Sequence, residues 1–143
     1  MASGNFRNLT RAFAMADVDF AVDTFKCLLV SSLSAAQLDT WTVRSNVTVE
    51  IAATGGYTAG GFAVTASVGS VDTVNDWTEV TFSASNPVYT SSTISAVGGL
   101  IYKSTGVAAN DLLVAFVDFG GTVASSSGNY SVTFTTPLRI KTT

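Results

Sequence analysis

Acid–base, nucleophilic or metal chemistry in this chain would rest on ten carboxylates and a single thiol, because its 143 residues include no histidine. Ser-His-Asp and Cys-His constellations therefore cannot be assembled, nor can zinc sites that use imidazole. Cys27 is the only cysteine, so neither an intrachain disulfide nor a cysteine-based zinc cluster can form. Its place in the apolar run KCLLV marks it as a small buried hydrophobe. Asp17-x-Asp19 opens like a calcium loop, but Ala21 holds the third ligand position, Val22 the glycine position and Leu28 the position of the closing glutamate. Asp17, Asp19 and Asp23 read instead as a solvated turn. The cluster from Gly55 to Gly61 lacks both G-x-G-x-x-G spacing and a Gly-Lys-Ser/Thr ending, and it opens a strand where a phosphate loop would open a helix. Asp118-Phe119-Gly120 spells the kinase magnesium triplet by chance, with none of the other kinase segments around it. No spacing singles out two acids for glycoside cleavage. The expectation is a non-enzyme with no metal and no cofactor.

What remains for recognition is aromatic and basic. Phe62, Phe82, Phe116 and Phe134 lie in phase with apolar neighbours and read as core. Trp41, Tyr57, Trp77 and Tyr89 fall at turns or helix ends, and they are the candidates for subunit contacts or for a carbohydrate platform. Arg7 and Arg11 stand in an N-terminal stretch without acids, and Arg139 and Lys141 close the chain. Between them, residues 17 to 118 hold all ten acids against Lys26, Arg44 and Lys103, a balance of −7. The basic ends could reach an acidic partner surface, although two arginines on an amphipathic helix are also its ordinary solvated face. A net charge of −3 has the wrong sign for a nucleic-acid partner.

The elements that must position these residues are mostly strands. Phe6, Leu9 and Phe13 share a helical face and predict a helix over 5–16. A strand with both faces apolar follows over 24–32. Ser34 with Gln37 has the form of a capping box and predicts a second short helix, reaching toward Asn46. Beyond it the period becomes two: strands are expected over 48–53, 62–68, 79–84 (ended by Asn86-Pro87) and 130–135. Thr93 to Gly121 reads as a buried β-hairpin, because both faces of LLVAFV are apolar. The fold class expected is mainly β: an antiparallel β-sandwich or barrel-like domain of about seven strands, with one or two short N-terminal helices, over residues 1–143 as a single domain.

Hydrophobic residues make up 47% of the chain and charged ones only 12%, against about 25% charged in an ordinary soluble domain. A surface so poor in charge suits close contact with neighbouring subunits, and a homo-oligomer is expected. The longest apolar runs reach about half of what a bilayer-crossing helix needs, and Arg11 interrupts the one candidate signal segment, so neither a membrane partner nor a signal peptide is expected.

NFRNLTRAFAMADVDF, TFKCLLVSS, the Trp-containing second helix, GGYTAGG, the DTVND turn, STISAVGGLIYKSTG and LLVAFVDFGG follow one another in this order over most of residues 5 to 135. Together they resemble a family of small bacteriophage virion structural proteins. The chain departs from the family pattern at Ser95 to Gly99, where Ala96-Val97-Gly98-Gly99 replaces an Ala-Arg pair, so no contact of that arginine carries over. The resemblance implies a capsid decoration or cement protein on the exterior of the virion shell, with the major capsid protein or other virion proteins as partners. The alternative is a tail- or fibre-borne binding module that recognises host-surface carbohydrate through loop aromatics.

Overall fold

The computed structural model describes residues 3–84, 88–134 and 137–141. Its main body is a seven-stranded antiparallel sheet in the order β1-β7-β6-β2-β3-β4-β9, built from β1 (Gly4–Asn5), β2 (Phe25–Val30), β3 (Phe62–Asp72), β4 (Trp77–Ser83), β6 (Ser95–Lys103), β7 (Leu113–Ala124) and β9 (Leu138–Lys141). The edges β1 and β9 approach each other, so the sheet is nearly closed and barrel-like, with a gap of about 280 Å³ at the seam. A two-stranded sheet, β5 (Val88–Ser92) and β8 (Gly128–Ser131), lies beside it. The helices are α1 (Leu9–Ala14) and α2 (Ala35–Thr40), with a 3-10 turn at Arg44–Asn46.

The expected hairpin is present, with Leu100 opposite Phe116 and Ile101 opposite Ala115. The register steps by one residue between Ile101 and Tyr102, and both Val114 and Ala115 join the same core cluster as a result. On one face of the sheet Phe25, Cys27, Val64, Phe82, Ile101 and Leu138 meet Leu9 and Ala12 of α1 and the Val18–Phe20 segment. Phe20 stacks on Phe25 at 5.3 Å between ring centres and meets Phe82 edge-on at 6.0 Å. On the other face Leu28, Val30, Leu100 and Tyr102 pack against Phe6, Leu38 and Trp41. A third cluster, with Leu29, Tyr57, Tyr89, Ile94 and Tyr130, joins the small sheet to the large one.

Several boundaries differ from the sequence reading. The first helix is shorter than 5–16: Phe6 precedes it and donates its backbone N–H to Val114 at 3.0 Å, so tertiary pairing with β7 outweighs helical continuation. The Ser34–Gln37 capping box forms as expected, but α2 stops at Thr40, where β-branched Thr42 and Val43 disfavour another turn. Residues 48–53 do not form a strand. They run along the edge of β2 that β3 leaves open beyond Cys27, with Ser31 N–H donating to Val49 at 2.9 Å, Ile51 N–H to Leu29 at 3.0 Å, and one bridge at Glu50. Of the strand expected over 130–135, only Tyr130 and Ser131 pair, within β8; 132–134 form no strand and Thr135 lies outside the described residues, while β5 and β9 are strands that were not expected. Asn86-Pro87 lies outside the described residues.

Candidate functional site

The six residues singled out for recognition do not share a surface. Tyr57 and Tyr89 are only 2% and 8% exposed, which corrects the expectation that they present themselves to a partner or a glycan. The physical reason is that each ring covers apolar surface between the two sheets, with 5.7 Å between their centres. Trp41 caps the C-terminus of α2 and is half-buried against the outer cluster. Arg7 is exposed and pairs with Asp39 of α2. Arg11 is exposed on α1. Trp77 opens β4 at the far end of the sheet, where the Arg139 guanidinium lies 4.4 Å over its ring and pairs with Glu79 at 2.9 Å. The C-terminal basic residues thus belong to β9, and Arg139 is already engaged within the chain.

Two arrangements that the sequence reading passed over dominate the geometry instead. The first is a buried polar chain. Leu29 N–H donates to the Tyr57 hydroxyl at 2.9 Å, and that hydroxyl donates to Glu50 at 2.8 Å. The same Glu50 oxygen accepts the Gly60 N–H at 2.6 Å, and the Gly60 carbonyl accepts the Tyr102 hydroxyl at 2.6 Å. Arg44 lies 5.3 Å over the Tyr102 ring and donates to Asp111 at 2.9 Å. Asp111 is buried and also accepts the N–H and hydroxyl of Thr105 at 2.6 and 2.7 Å. Burial alone would raise the Asp111 carboxyl, but the Thr105 donors and Arg44 outweigh it and hold it below the usual carboxylate range. Gly61 ends this loop with φ of +76°, and a Cβ there would stand 1.8 Å from the Cys27 carbonyl oxygen. The network ties residues 44–61 to the sheet and to the β6–β7 loop.

The second is the outer part of β3 and β4. One extra residue between Val68 and Val71 shifts the register, with Val68 opposite Val80 and Val71 opposite Thr78. Because Thr78 and Val80 are two apart, both valines face the core side of the sheet. Past the core they are progressively uncovered: Val68 is 50%, Val71 68% and Val74, in the connecting turn, 87% exposed. The opposite face carries Asp72, Trp77, Glu79 and Arg139. The arm therefore has a polar face closed on itself and an apolar one left open. A strand pattern that slips from period two at Val68-x-x-Val71 was the available sequence signal.

For chemistry the structure offers little. Burial pushes the Cys27 thiol up, away from the reactive thiolate. Among the described residues no three carboxylates or thiols gather to hold a metal ion, and no helix is long and apolar enough to cross a membrane. The DFG triplet lies on β7, where the Asp118 carboxylate accepts the Gly120 N–H at 2.9 Å. Comparisons with family models, with curated proteins and with solved structures give no significant match.

Proposed function

We propose that the chain is a non-enzymatic bacteriophage virion structural protein, a capsid decoration or cement protein that oligomerises on the outside of the head shell. The observation that carries this reading is the uncovered valine strip of the β3–β4 arm, in a protein whose surface is short of charge. An apolar strip that continues a core face beyond the core suits burial against a neighbouring subunit. The resemblance of residues 5 to 135 to virion structural proteins supplies the setting. The buried thiol and the lack of histidine support a structural role over a catalytic one. Many such contacts around a lattice would add up to firm attachment from individually weak ones.

Quantifying this chain against the major capsid protein in purified particles tests the proposal. A ratio near one, or another simple fraction of the capsid lattice, is expected. A few copies per hundred capsid subunits would move the protein to the tail or a fibre, and absence from particles would end the virion reading. Shells lacking the protein should gain heat resistance when it is added back. The carbohydrate-binding alternative retains only Trp41 and Trp77 of its four aromatics outside the core, at separate places.

A further inference from the structure

Beyond Val64, β3 has a neighbour on one side only. β2 pairs with it at Phe25–Val64, Lys26–Ala63 and Cys27–Phe62, and before Phe25 the chain turns the other way, where the Thr24 carbonyl accepts the Ser104 N–H at 2.8 Å. Residues 65–72 therefore pair with β4 alone, and among the described residues they make no backbone–backbone hydrogen bond outside that ladder. Residues 67–71 are exposed without a break. Such an edge holds a row of N–H and C=O groups ready to pair with a further strand.

The terminal strands of the large sheet are guarded, and this edge is not. β1 has two residues, and β9 has four with Arg139 and Lys141 among them. Short length and cationic side chains are the usual protection. The stretch TASVGSVD has no lysine, arginine or proline. Its one irregularity is the bulge between Val68 and Val71, where Gly69 and Ser70 let a second backbone come close.

Charge selects the occupant. Lys26 stands at the inner end of the open edge, opposite Ala63, and among the described residues it forms no ion pair. Ala63 shares a face of β3 with Ser67, which stands opposite Thr81, so Lys26 lies on the face that carries Trp77, Glu79 and Asp72. At the outer end Asp72 accepts only from neutral groups of its own turn, the Val74 and Asn75 N–H groups and the Asn75 amide. Exposed Asp76 adds a second acid to that tip. Between Lys26 and Asp72 the edge is uncharged. A second copy laid antiparallel turns the acidic tip of each arm toward the basic inner end of the other, whereas a parallel copy would set acid beside acid. Antiparallel pairing also keeps like faces on the same side, so the valines of two arms join in one strip.

We propose that two copies of this chain dimerise by antiparallel pairing of their β3 edges within residues 65–72, with Asp72 of each copy turned toward Lys26 of the other. The contact is the same on both sides and closes on itself. The proposal rests on the oligomerisation inferred above and names its contact, but it needs no virion, so copy number in particles tests the setting and not the pairing. Light scattering over a concentration series, with amide hydrogen exchange read by mass spectrometry on the monomeric and dimeric samples, tests it. A dimer is expected in which exchange over residues 65–72 slows about tenfold or more while that of β9 is unchanged. Ser67→Lys, at an exposed position on the edge, should weaken the dimer about tenfold and leave the melting temperature of the dilute monomer unchanged. Lys26→Gln should weaken it several-fold and remove most of its salt dependence. A monomer at every concentration would overturn the pairing together with the oligomerisation. A dimer whose residues 65–72 exchange as they do in the monomer, or one undiminished in Ser67→Lys, would overturn the edge pairing and leave the oligomerisation standing.

Discussion

The loop from Arg44 to Gly61 and the arm from Val68 to Trp77 flank the same strand, β3, and are finished in opposite ways. In the loop, polar groups are brought inside and each finds a partner, from the Leu29 N–H through Glu50 to Asp111. In the arm, apolar groups are carried past the core and left without cover. Closed polar networks make one conformation unique, because any partial version leaves a buried group unpaired. An open apolar strip does the reverse: it contributes little to the isolated fold and gains only when something covers it. The comparison separates residues that hold the protein together from residues available to a neighbour.

The sharpest break is at Gly61. Gly61→Ala sets a Cβ against the Cys27 carbonyl in a backbone conformation that disfavours side chains, and a loss above about 4 kcal/mol is expected. Chemical denaturation, or loss of soluble expression, would register it. Next, Arg44→Ala leaves the Asp111 carboxylate buried with only Thr105, and should cost about 3 kcal/mol in the same assay. Asp111 also predicts a pH dependence. Its folded carboxyl lies below the unfolded value, so its stabilisation is complete above about pH 4 and drains away as pH falls through the folded value. The melting-temperature gap between the wild type and Asp111→Asn should accordingly be widest at neutral pH and close in acid.

Tyr57→Phe strips the Leu29 N–H of its acceptor and Glu50 of a donor while leaving the ring packing intact, and about 1–2 kcal/mol is expected from thermal unfolding. At the small end stand Val71→Ser and Val74→Ser. Each should change folding stability by less than about 0.5 kcal/mol yet weaken self-association, measured by size-exclusion chromatography with light scattering. Equal association in wild type and both variants would remove the arm from the assembly argument and collapse the contrast with the loop.

Much of the fold was legible in the sequence because it follows from local pattern. The β6–β7 hairpin, the strand around Cys27 and the Ser34–Gln37 box rest on neighbours along the chain. The errors came where the deciding contact was remote. Phe6 looked helical by spacing but pairs beside β7; Val49 and Ile51 looked like a strand but only satisfy the edge of β2; Tyr57 and Tyr89 looked like loop aromatics but fill the space between sheets. Of the recognition residues, Arg7, Arg11, Trp41 and Trp77 keep some surface that a partner could meet, although Arg7 and Trp77 already have partners within the chain.

By itself the sequence determined that this is a charge-poor, mainly β chain without histidine and with one thiol, since composition and a period of two need no knowledge of distant contacts. Only the tertiary structure decided which side chains are enclosed. The one-residue slip that turns Val71 to the same face as Val68 appears only in the pairing of β3 with β4, and the burial of Asp111 against Arg44 joins residues 67 positions apart. A strand's hydrophobic pattern and the turn beside it set its usual register, but a bulge and a remote ion pair exist only once the partners are in place.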